Sequence, residues 1–212
     1  MLGLTTNQLL IFTIASLVLA ATPGPVWLYL ISRTLAQGRR AGYFSMFGVA
    51  AGLSVHAILA AFGLTVVLLA VPYAFEAIKL AGATYLLWLA YTTVRGAGFS
   101  FSPQPLEPVR DRVLLRQAFI AAMINPKVAV FYLSLFPQFI DPSTGPVLAQ
   151  SLLLGAIQIV TAALMDVSLV TVAGVLAAWF ARRPLWLQMQ RWFLGSAFGA
   201  LAVWLALTPR EK

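Results

Sequence analysis

The sequence predicts an all-α integral membrane protein: six transmembrane helices in two inverted three-helix repeats, the first helix of each broken by proline. Three observations lead there. The chain of 212 residues is 61% hydrophobic and only 9% charged, with mean hydropathy +0.89, too few charges to cover a soluble surface of that size. Apolar runs of roughly 18 residues or more recur, each long enough to cross a hydrocarbon core. The basic residues cluster in alternate connecting segments, as membrane topology requires.

Spans are expected at 8–32, 42–70, 73–94, 116–140, 147–180 and 190–208. Arg33, Arg39 and Arg40 follow the first; Arg95, Arg110, Arg112 and Arg116 follow the third; Arg182, Arg183 and Arg191 follow the fifth. The other side carries only Lys79, near the start of the third span, and Arg210 and Lys212 at the end. The positive-inside rule then makes the Arg-rich loops cytoplasmic and puts both termini outside. The opening "MLGLTTNQ" lacks the basic n-region of a cleavable signal, so the first run is expected to be a retained helix. The net charge of +8 sits in these short loops rather than on one patch, which excludes nucleic acid as the partner and leaves the lipid bilayer. With no cysteine in the chain, disulfides, thiolate catalysis and Cys-based metal sites are excluded. No metal or cofactor is expected.

The loop "RGAGFSFSPQPLEPVRDRVLLR" divides the chain into a first repeat at 1–95, a linker at 96–115 and a second repeat at 116–212. Three spans per half is an odd number, so the halves insert with opposite orientation, the arithmetic of an inverted repeat. Their clearest correspondence is a proline break in the first span of each, "ATPGPV" and "INPKVAVF".

Proline lacks an N–H and clashes with the carbonyl four residues back, so Pro23 and Pro25 free the carbonyls of Leu19 and Ala21. Gly24 adds backbone freedom, and a half-helix with unpaired N–H groups starts beyond. A zwitterionic amino acid needs both ends: acceptors for its ammonium, donors for its carboxylate. Pro23, Gly24, Pro25, Val26 and Trp27 are therefore candidate binding residues, with a packing kink as the plainer reading. In the second half Asn125 suits an N-cap and Pro126 a first helical turn. Lys127 then lies where the helix dipole disfavours a cation, and so calls for an anionic partner or the loss of its proton. Asn125, Pro126 and Lys127 complete the candidate binding set, with permanent pairing or snorkelling of Lys127 as the bland alternative.

His56 and Asp166 also lie within spans, and with the two breaks they fall roughly 8 to 15 residues from the cytoplasmic ends, near the midplane. Asp166 is the candidate for proton coupling, since occupancy of a site shared with Lys127 alters the balance around its carboxyl group. His56 either relays protons or is a neutral histidine bonded to backbone. Small residues in "FGVAAGLSVHA", "KLAGATYLL" and "FLGSAFGALAV" allow close helix approach, within one chain or between copies in a homo-oligomer.

Taken together, "TPGP" (22–25), "GLSVHAILAAFGL" (52–64), "KLAGATYLLWLA" (79–90), "NPKVAVFYLSLFPQF" (125–139), Asp166 and "FGALAVWL" (198–205) resemble the LysE/RhtB family of bacterial amino-acid exporters. The resemblance covers essentially the whole chain. It implies six helices in the bacterial plasma (inner) membrane, proton-driven export of amino acids or close derivatives, and functional roles for Pro23, Gly24, Pro25, Asn125, Pro126, Lys127 and Asp166. Val26 departs from the family pattern, in which a polar residue, often Asn, follows "PGP".

The expected activity is export of small neutral amino acids (homoserine-, threonine- or leucine-like) by proton antiport. Basic amino acids rank lower because a cationic side chain competes with Lys127; other small metabolites are a further alternative. An intramembrane enzyme built on His56, Asp166 and Ser54 and a passive channel are the rivals from other classes. The enzyme lacks a nucleophile motif and a second histidine.

Overall fold

The computed structural model describes residues 3–70, 80, 83–84, 87–88, 90–92, 94–95, 106–182, 192, 196, 199–200, 202–203 and 206–207. Every element among them is helical. The expected third and sixth spans, Lys79 and most of the 96–115 linker fall largely or wholly outside the described residues.

Helix α1 (Thr6–Ala21) begins at a reciprocal cap. The Thr5 hydroxyl accepts from the Gln8 amide at 3.2 Å, and the Gln8 side-chain oxygen accepts from the Thr5 amide at 2.8 Å. It stops before Pro23, and α2 (Pro25–Gln37) restarts with Gly24 as N-cap and proline in its first turn. The two meet at 54°. Gly38, at φ 83°, closes α2 by donating to the Thr34 carbonyl at 2.9 Å, a left-handed position that favours glycine. Helix α3 (Arg39–Ala70) follows at once.

The second break has the same plan. Helix α4 (Asp111–Met123) ends ahead of Asn125, and α5 (Pro126–Val130) starts there. A widened π turn over Phe131–Leu135 and a 3₁₀ turn over Phe136–Phe139 extend α5, and the bend from α4 is 50°. The π turn has a local cause: Pro137 brings no N–H and crowds the carbonyl four residues back, so the turn before it opens. Helix α6 (Val147–Arg182) is continuous.

Arg39–Gly63 and Val147–Val175 are each long and apolar enough to cross a membrane, and each bent pair adds one more such candidate. Their outer faces expose Leu10, Ile14, Phe47, Leu59, Phe62, Val160 and Leu164, an apolar surface of the kind a bilayer accepts. The hydroxyls of Thr13, Ser54, Thr161 and Ser168 bond back to the carbonyl four residues earlier, so these donors do not face hydrocarbon unpaired.

The core joins the two broken segments. Phe12, fully buried on α1, packs against Phe131, Phe136 and Phe139 with ring centroids at 5.7, 5.8 and 5.1 Å. Helix α3 lies along both α4 and α6, and α1 and α2 also rest on α6. A Cβ on Gly48 would overlap the Leu115 carbonyl, and one on Gly52 would stand 2.7 Å from the Ala122 Cβ. The small residues thus serve close helix approach here, as "FGVAAGLSVHA" leads one to expect.

Several arginines differ from their expected place in loops: α3 already starts at Arg39, which takes in Arg40, and α6 runs to Arg182. Helix α2 runs past the predicted end at residue 32, so Arg33 is helical and only 5% exposed. Helix α4 starts before the predicted 116, which puts Arg112 and Arg116 on it. The position of basic residues between apolar runs does not show where a helix ends.

Candidate functional site

The two breaks meet. Lys127, in the first turn of α5, sends its ammonium across to the end of α1, where Nζ donates to the Leu19 carbonyl at 2.8 Å and the Thr22 carbonyl at 2.6 Å. These acceptors are open because the prolines stop α1 from continuing: Pro23 offers Leu19 no N–H four residues on, and the Leu19 carbonyl keeps only a share of the Thr22 N–H at 3.3 Å. They also form the negative end of the α1 dipole. Thus the cation that is badly placed on its own helix is well placed at the end of another. Its contacts are backbone carbonyls rather than the anionic partner that the sequence calls for.

Gly24 lies beside this ammonium; a Cβ there would stand 3.6 Å from Nζ. Trp27 closes the break from the other side, its indole N–H donating to the Ala20 carbonyl at 2.8 Å. The carbonyls of Leu19, Ala20 and Thr22 therefore receive two side-chain donors from two directions. Beyond them α2 begins, and its N-cap, Gly24, has no side chain to satisfy the first N–H groups. Val26 is buried at 8% exposure on that first turn. One break thus presents a carbonyl end and an N–H end side by side.

Asn125 is 2% exposed and caps α5, its side-chain oxygen accepting from the Lys127 amide at 3.2 Å. The cap and Pro126 fix where α5 starts and hence which turn carries Lys127. Asp166 lies on α6, 6% exposed. It is within reach of the Lys127 charge, yet among the described residues the ion pair in contact is Arg40–Asp111 at the surface, 3.5 Å.

His56 joins a different group. Its ring stacks on Tyr132 at 5.8 Å and 10°, and its Nε2 is buried with no hydrogen-bond partner among the described residues. The Tyr132 hydroxyl donates to the Gln158 side-chain oxygen at 2.7 Å, on α6. The structure therefore brings Pro23, Gly24, Pro25, Val26, Trp27, Asn125, Pro126 and Lys127 to one junction with Asp166 near it, and sets His56 against Tyr132.

Sequence reasoning passed over Arg33, Gln117, Tyr132 and Gln158. The Arg33 guanidinium donates to the Glu107 carbonyl at 2.8 Å, the Gln117 side-chain oxygen at 2.8 Å and that of Gln37 at 3.2 Å. Beside it the Tyr29 hydroxyl donates to the Leu114 carbonyl at 3.0 Å, and the Gln37 side-chain nitrogen to the Val109 carbonyl at 2.9 Å. These bonds fasten α2 to the start of α4 and the segment before it. A signal was available for Gln158, an amide inside the apolar run "LLLGAIQIVTAALM"; an arginine at the end of a span carries none.

The chain's relatives agree with this picture. A profile of the LysE type translocator family matches residues 17–208. The homoserine/homoserine lactone efflux proteins of Salmonella typhi and Salmonella typhimurium are each 34% identical over 191 residues, 90% of this chain and 89% of theirs. An uncharacterized membrane protein of Vibrio cholerae is 29% identical over 197 residues, 93% of this chain and 95% of its own length. No solved structure matches the chain. With apolar helices, paired proline breaks and a family match over nearly its whole length, the chain is a multi-pass membrane protein that belongs to the LysE type translocator family.

Proposed function

We propose that this protein is a secondary active exporter that moves small neutral amino acids, of the homoserine, threonine and leucine kind, out of the bacterial cytoplasm in exchange for protons. The observation that carries the reading is the junction of the two breaks. It already holds one ammonium, that of Lys127, on two helix-end carbonyls, with the N-terminus of α2 alongside. An α-amino acid presents an ammonium and a carboxylate a few ångströms apart, which complements a carbonyl end and an N–H end at one break. The 34% identical Salmonella efflux proteins, named for homoserine and its lactone, support a substrate of that size.

On this reading the Leu19 and Thr22 carbonyls are the ammonium acceptors, and the first N–H groups of α2 face the carboxylate. Asp166 carries the proton, and Lys127 balances its charge. A second cationic group on the substrate would meet Lys127, which places lysine and arginine below neutral amino acids. The third and sixth spans complete two inverted repeats, rocking of one repeat against the other exposes the junction alternately to each side, and both termini face outward.

The test is accumulation of a panel of labelled amino acids in inside-out vesicles with an imposed pH gradient, acid inside. Accumulation of homoserine or threonine, lost when the gradient collapses, is the expected result. Accumulation of lysine in their place, or of no amino acid, contradicts the assignment.

A further inference from the structure

The Lys127 ammonium has an unusual position for a permanent structural cation. It is held by two main-chain carbonyls at 2.8 and 2.6 Å, and no carboxylate among the described residues touches it. Each carbonyl belongs to the frayed end of α1, where the Trp27 indole has taken the Ala20 carbonyl between them. The geometry of the cradle is generic: it asks for a compact cation with several N–H donors, and nothing about it requires that the cation be tethered to residue 127. A primary ammonium on any ligand small enough to enter satisfies it equally. Homoserine and homoserine lactone, in the relatives' names, differ at the carboxyl end and share the ammonium.

We propose that Lys127 is a tethered stand-in for the substrate's ammonium, occupying the cradle of Leu19 and Thr22 carbonyls when the site is empty and giving it up when substrate binds. The proposal rests on the exporter reading above and deepens it by stating which substrate group goes where. The exchange replaces one ammonium by another, so the carbonyls are satisfied in both states and no unpaired acceptor is left within the membrane. Asp166, buried on the helix α6 that packs against α1 and α2, is the acidic side chain a displaced Lys127 turns to. Substrate occupancy is thereby reported to the one acidic side chain on α6 near the junction, which supplies a physical link between amino-acid binding and the proton site. Gly24 suits the exchange, because Lys127 lies against a backbone with no side chain to trap it.

The chain's lack of cysteine allows a direct experiment. Lys127→Ala leaves the cradle without a cation. Purified in detergent, this variant is expected to gain thermal stability with rising methylammonium, a cation with N–H donors, and to ignore tetramethylammonium, which has the same charge and no donor. Wild type, with its cradle filled, is expected to respond to neither. Lys127→Cys is expected to show the same methylammonium response and to lose it after alkylation with bromoethylamine, which rebuilds an ammonium of nearly lysine length. A variant that is poorly folded by itself is still informative, since methylammonium is then expected to restore it. Homoserine is expected to bind Lys127→Ala at least tenfold more tightly than wild type, because no ammonium has to leave first. If both cations act alike on the variant, the carbonyls do not hold an N–H donor cation and the proposal fails. If methylammonium acts but homoserine binds the variant no more tightly than wild type, the exchange fails. The methylammonium arm involves no amino acid, so an error in the exporter assignment leaves it intact and shows instead as absence of amino-acid uptake by wild-type vesicles.

Discussion

Replacing Gly52 with alanine tests how the helices that carry the site are held together. The added methyl would stand 2.7 Å from the Ala122 Cβ and 3.1 Å from the Phe119 carbonyl oxygen. Carbon atoms settle at about 3.5–4.0 Å, so α3 and α4 would have to part locally by about 1 Å. Overpacking of this kind costs about 1–3 kcal/mol, while alanine in place of glycine returns about 1 kcal/mol of helix propensity. The net expectation is a loss of about 0–2 kcal/mol. Gly63→Ala is the control: a methyl added there has nothing within 4 Å among the described residues, so it should be neutral or stabilising by up to about 1 kcal/mol. Adding Ala122→Gly to Gly52→Ala removes the 2.7 Å neighbour, and the pair should show a favourable coupling of about 0.5–3 kcal/mol. Unfolding of the four proteins by dodecyl sulfate titration in mixed micelles gives these differences. Equal stability of Gly52→Ala and Gly63→Ala, or additivity of the Gly52 and Ala122 changes, would refute the close-packing argument.

Further consequences concern the site itself. Asp166→Asn should abolish pH-gradient-driven accumulation while sparing exchange of labelled for unlabelled substrate; accumulation that still follows the gradient would remove Asp166 from proton coupling. Asn125→Ala removes the cap on α5 and should lower stability by about 1 kcal/mol, read as a lower unfolding temperature and a weaker affinity. Arg33→Lys should impair folding or transport despite keeping the charge, because one ammonium cannot reproduce the planar fork that reaches Glu107, Gln117 and Gln37; a variant of wild-type stability and rate would show that those bonds are dispensable. Tyr132→Phe leaves the buried Gln158 side-chain oxygen without its donor and should cost about 1–3 kcal/mol in the same unfolding assay.

The breaks were legible because proline and glycine act locally: the prolines at 23, 25 and 126 and the Asn125 cap set the helix ends wherever the chain goes. The second and fifth spans were legible for the same kind of reason, since continuous apolar runs leave little choice of state. The partners of Lys127 were not. Backbone carbonyls have no letter in the sequence, and a lysine in a first helical turn looks misplaced until the end of another helix is known to face it. Arg33 was read as a loop arginine because hydropathy places the end of a run at the first charge, whereas α2 continues one turn further with that charge buried. The stacking of His56 on Tyr132 depends on packing between elements distant in sequence, which periodicity does not report.

The central claim, that this chain is a carrier for small neutral amino acids, is tested most directly by entrance counterflow in proteoliposomes containing the purified protein alone. Vesicles loaded with unlabelled homoserine and diluted into a trace of labelled homoserine should accumulate label transiently above its equilibrium level, with unlabelled threonine or leucine competing and lysine failing to. A monotonic approach to equilibrium would indicate a channel. No entry of label with homoserine, threonine or leucine inside would contradict the account.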